Sequence, residues 1–192
     1  MLKMGLETKI FALKDKRIGF YMYLCIENLN LNNMAKAKIL NLEQTENTGL
    51  FTIIFDGESQ TEYDKFVEKF RYDATRNQDL RAILNQIELM MSAGAFLERR
   101  FRPEGKMRDN VAALPVFKNS LRLYCLRMSD SVLIVGNGGV KNSKTYQESE
   151  DLNGYVISLQ KLDALLKADI NNGVVRIEKT DIVGVEGKEY DI

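Results

Sequence analysis

One stretch narrows what this chain can fold into more than any other: Leu121–Tyr146, LRLYCLRMSDSVLIVGNGGVKNSKTY. Leu121–Arg127 and Val132–Val135 read as two apolar strands joined by the tight polar turn Met128-Ser129-Asp130-Ser131. A glycine-rich segment follows, and Lys141, Lys144 and Tyr146 then arrive on an irregular segment. The pattern sets a short hydrophobic sheet beside a group of cations and a phenol.

Upstream, Leu50–Phe55 is an apolar run of strand length. Ser59-Gln60-Thr61-Glu62 fits a capping box, with Ser59 as N-cap and Glu62 at the third helical position. Tyr63, Phe66, Val67 and Phe70 then recur at the spacing of one helix face. A second helix is expected from about Asp79 to Ser92, where Leu80, Ile83, Leu84, Ile87 and Met91 repeat that spacing and Gly94 is placed to end it. Val111–Phe117 reads as a further strand, with Pro115 marking an edge or a bulge.

Strand, helix, helix and three strands is the element order of the RelE/HigB-like toxins, which this region resembles over residues 50–146. The resemblance also rests on Leu121-Arg122-Leu123-Tyr124, similar to the family's "YR-hydrophobic" strand. Gly138-Gly139-Val140-Lys141-Asn142-Ser143-Lys144 is similar to its glycine-lysine segment. The family consists of small bacterial ribonucleases that typically cleave messenger RNA on the ribosome. The resemblance implies an α+β, RelE-like fold of two helices packed on one antiparallel sheet, with N- and C-terminal extensions at 1–49 and 147–192. It implies a cognate antitoxin protein, messenger RNA and the ribosome as partners, and no cofactor.

The chain contains no histidine, which removes histidine acid–base catalysis and the usual zinc sites. Its two cysteines, Cys25 and Cys125, stand far apart in apolar contexts and read as buried free thiols rather than a metal site or a disulfide. No run approaches the length of a membrane span, and the N-terminus lacks a signal peptide's apolar core. The expected location is therefore the cytoplasm.

Zero net charge hides an asymmetry. Glu98–Tyr146 holds ten Lys and Arg against four Asp and Glu, while Gln147–Ile192 holds five against ten. A basic half favours a polyanion such as RNA. An acidic tail directly after it has the charge to cover Lys141 and Lys144 with Glu148, Glu150 and Asp151.

Cleavage of RNA through its own 2′-hydroxyl needs a base, an acid and cations for the phosphorane. Without histidine, lysine or tyrosine must move the protons, and arginine suits the phosphate because its planar fork binds two oxygens. By the resemblance, Arg122, Lys141, Lys144 and Tyr146 are the catalytic candidates. Arg102, Lys106, Arg108 and Lys118 are the candidates for RNA binding. Val111–Phe117 carries none of the paired cations found on the matching strand of active toxins. A non-catalytic RNA- or protein-binding module is accordingly the alternative expectation. Gly136-Asn137-Gly138-Gly139 fails as a phosphate loop, because neither the third glycine nor the Lys-Ser/Thr of such loops is present. A bulge or turn suits it better.

Of the flanks, Thr8–Leu13 and Ile18–Ile26 fit a hairpin around Asp15-Lys16, the second run fitting a helix as well, while Asn28–Met34 reads as a loop and Lys38–Leu42 as a short strand. Ser158 is expected to cap a helix carrying Leu159, Leu162, Leu165 and Leu166, ended by Asn171-Asn172-Gly173. Val174–Glu178 and Ile182–Val185 are strand-like.

Overall fold

Buried apolar residues alternate along the strands between two separate clusters, so both faces of the sheet are covered. Val132 and Ile134 join one cluster, while Leu133 and Val135 join the other. The computed structural model describes residues 35–106, 108–115, 120–142 and 145–192. The hairpin and loop expected within the first 34 residues, Cys25, Lys118 and Lys144 lie outside the described residues.

The strands are β1 Lys36–Gln44, β2 Gly49–Phe55, β3 Arg102–Pro103, β4 Val111–Pro115, β5 Leu121–Arg127, β6 Val132–Val140, β7 Arg176–Glu178, β8 Asp181–Val183 and β9 Tyr190–Asp191. The helices are α1 Glu62–Arg71, α2 Asn77–Ser92 and α3 Glu150–Asn171. Seven strands form one sheet in the order β3-β4-β5-β6-β2-β1-β9, and β7–β8 is a separate hairpin. β5 and β6 pair antiparallel near its centre, as their short turn dictates. β2 and β6 run parallel, with Thr52 opposite Val135 as their last pair.

This corrects the expected RelE-like fold of two helices on one antiparallel sheet. Among the described residues the sheet is mixed, has seven strands and carries a third helix on its second face. α1 and α2 cover one face with Phe66, Phe70, Leu80, Ile83 and Ile87. α3 covers the other, because Leu152, Val156, Leu159, Leu162 and Leu166 form a stripe several turns long that must be buried. β1 and β9, from the two segments read as extensions, are strands of this same sheet.

Three local expectations shift as well. The N-cap of α1 is Thr61: its hydroxyl accepts the Asp64 N–H at 3.0 Å, and Asp64 Oδ2 accepts the Thr61 N–H at 3.3 Å. The box therefore lies two residues beyond Ser59, and Glu62 is the first helical residue. α3 begins at Glu150, so Ser158 lies inside it rather than at its start. β6 continues through the glycines. There Gly136 and Asn137 together oppose the single residue Tyr124, which makes a β-bulge.

Candidate functional site

The bulge decides which side chains meet. Before it, even-numbered residues of β6 face α3; after it, odd-numbered ones do. Gly136 lies against Leu159 of α3, and so does Gly139 against Leu152. Gly139 pairs with Arg122, and the Lys141 N–H donates to the Ser120 carbonyl at 2.8 Å. Arg122 and Lys141 thus arrive as neighbours at one end of the α3 face.

Glu104 completes the group. It follows β3, and its N–H donates to the Val111 carbonyl at 3.1 Å. Its carboxylate is almost fully buried, with Lys141 Nζ 3.6 Å and Arg102 Nε 4.0 Å from Oε1. Lys141 is itself only 10 % exposed, whereas Arg102 reaches solvent. Glu104 Oε1 and the Tyr124 hydroxyl have no hydrogen-bond partner among the described residues.

The electrostatics follow from this crowding. Burial, and then the nearby Arg102 guanidinium, push Arg122 below its ordinary value, against the pull of Glu104. Burial raises the Tyr124 phenol, and Glu104 adds to the effect. Burial, Asp109 and Glu104 raise Tyr146, which sits in a short 3-10 turn before α3. Glu104 also lines a cavity of about 330 Å³ together with Lys106, Asp109 and Arg127.

The structure therefore brings Arg102, Arg122, Lys141 and Tyr146 together. Lys106 and Arg108 lie exposed on the loop between β3 and β4. The counter-charge to Lys141 is Glu104, not the tail carboxylates; Glu148 instead accepts the Thr145 hydroxyl at 3.1 Å. Sequence reasoning missed Glu104 because a single glutamate in a polar loop carries no periodic signal. Its one trace was a lone acid within the basic run from Arg99 to Arg108.

Chemically, the group offers a proton acceptor, cations for an anion and a protonated phenol at one end of the sheet. No group of side chains that could hold a metal ion occurs among the described residues. No helix among them is long and apolar enough to cross a membrane. No family model, curated protein or solved structure matches the chain.

Proposed function

We propose that this protein is the toxin half of a bacterial toxin–antitoxin pair, a cytoplasmic ribonuclease that cleaves messenger RNA on the ribosome. The observation that carries this reading is the buried Glu104 carboxylate set among Arg102, Arg122 and Lys141, with Tyr146 nearby. Glu104 Oε1 accepts the proton of the ribose 2′-hydroxyl. Arg102 and Arg122 hold the phosphate oxygens as charge develops. The Tyr146 phenol, whose raised value keeps it protonated, gives its proton to the departing 5′-oxygen. Lys141, with Nζ 3.6 Å from Glu104 Oε1, holds the carboxylate in position. A partner antitoxin would cover Arg102, Lys106 and Arg108.

The second reading is a non-catalytic RNA- or protein-binding module. It is favoured by the burial of Lys141 and Glu104 against each other and by the helix laid over that face of the sheet.

One experiment separates the two. The full chain is incubated with single-stranded RNA, and with ribosomes carrying messenger RNA, in the presence of EDTA. Cleavage leaving 2′,3′-cyclic phosphate ends is expected, reduced about 10²-fold or more by Glu104→Gln and by Arg122→Ala. RNA binding without cleavage in both settings would establish the second reading. Cleavage that survives both substitutions in folded protein would remove these residues from the reaction.

A further inference from the structure

β2 and β6 part company at their carboxyl ends. They run side by side and parallel as far as Thr52 and Val135. From there β2 leads into α1 on one face of the sheet, and β6 leads into α3 on the other. Adjacent parallel strands whose connections leave to opposite faces open a crevice between them, which is where open parallel α/β sheets receive ligands; in this mixed sheet β2 and β6 are the one such pair among the described residues. Here the bulge at Gly136 and Asn137 falls at the point of parting. A cavity of about 330 Å³ lies there, at the small end of the usual range for small-molecule pockets.

Its walls are mixed in a defined way. Ile53, Phe55 and Leu159 give an apolar surface. Glu62, Glu150 and Asp151 bring carboxylates; among the described residues no lysine or arginine lines the space, and Lys65 Nζ stands beside it, 5.7 Å from the centre of the Phe55 ring. Glu62 is buried, accepting Asn137 Nδ2 at 2.9 Å and Lys65 Nζ at 2.6 Å, one on each oxygen. A carboxylate accepts about four hydrogen bonds, so both oxygens keep acceptor capacity.

Gly154, an exposed residue, lines the same space. It lies within α3, where glycine is less stable than alanine by roughly 1 kcal/mol. Among the described residues a Cβ there would meet nothing within 4 Å, so packing against them does not require glycine. Its effect is to leave one wall of the crevice without a side chain.

We propose that this crevice binds a small organic cation: an ammonium or guanidinium group on an apolar body. The apolar part lies on Phe55, Ile53 and Leu159, and the cation faces Glu62, Glu150 and Asp151. The site does not depend on the ribonuclease reading, because it shares no residue with the Glu104 group.

The test is a titration of the full chain with phenethylamine, followed by NMR shifts and calorimetry. Its neutral and anionic counterparts, 2-phenylethanol and phenylacetate, run in parallel. The amine should bind roughly tenfold or more tighter than the alcohol, as one added charge-assisted hydrogen bond implies. Glu150→Gln with Asp151→Asn should weaken the amine and leave the alcohol unchanged. Gly154→Leu, whose side chain starts in open space, should abolish binding with the circular dichroism of the fold preserved. Equal affinity for amine and alcohol, no binding of any probe, or amine binding that survives Gly154→Leu would each overturn the proposal.

Discussion

Burial, with Asp64 and Glu43 nearby, raises the Tyr63 phenol to about 12. Burial is also the first cause of the raised values of Tyr124, Tyr155, Tyr190 and the Cys125 thiol. In an unfolded chain tyrosine ionises near pH ~10 and cysteine near ~8.5. A group raised in the folded state contributes stability that is complete below its unfolded value and lost as pH rises through the folded one. These groups therefore leave stability unaffected at neutral pH and erode it in alkali, the thiol first and the phenols above about pH 10. The urea midpoint should fall across that range. Tyr63→Phe, which keeps the ring and cannot ionise, should lose less of it between about pH 10 and 12. An identical decline in the two proteins would show that the Tyr63 environment is not maintained in solution.

Among the elements, α1 and β6 show how a small local choice fixes a larger one. Thr61 and Asp64 satisfy each other's backbone N–H groups and so fix where α1 begins. That start puts Glu62 at the wall of the crevice. Thr61→Ala should cost about 1 kcal/mol in urea unfolding, and Ser59→Ala should change little, since its hydroxyl caps nothing in the described hydrogen bonds. Equal losses at the two positions would place the helix start two residues earlier. In β6 the bulge has the same directing role. One extra residue exchanges the faces of everything beyond it, which is why Lys141 meets Glu104 rather than the α1 and α2 side.

At the scale of the molecule, β9 forms one edge of the sheet. β9 pairs with β1 through Ala37 and Tyr190, and the Ile192 N–H donates to the Ala35 carbonyl at 2.9 Å. Tyr190 and Ile192 are both buried in the core on the α3 face. Ending the chain after Gly187 would remove two buried side chains worth about 1.5–3 kcal/mol each and uncover the edge of β1. Stability should drop by roughly 3–6 kcal/mol, and sedimentation should show self-association growing with concentration. A truncated chain as stable and as monodisperse as the full one would mean that β9 adds nothing to the sheet. The hairpin β7–β8 meets the sheet at the start of β2. A Cβ on Gly49 would stand 1.8 Å from the Thr180 carbonyl oxygen, so only glycine lets β2 pass beneath that turn.

Whatever depends on neighbours along the chain was legible in the sequence. The strand Leu121–Arg127 has the bounds its apolar run predicts, and α2 keeps its apolar face and ends before Gly94, which stands at φ +74. The C-terminal helix ends at Asn171, with Gly173 at φ +71. These features follow from side-chain periodicity and from backbone conformations only glycine adopts readily. The resemblance pointed to Arg122, Lys141, Lys144 and Tyr146 as one group, of which Lys144 lies outside the described residues, and it kept Arg102 apart as an RNA-binding candidate. Tertiary structure alone decided the parallel pairing of β2 with β6, the third helix on the second face, the path of β6 through its glycines and the place of Glu104. Each of these joins residues far apart in sequence, and a strand's partner is chosen by which faces the whole chain must bury. Periodicity shows that a face is apolar; it does not show what covers it.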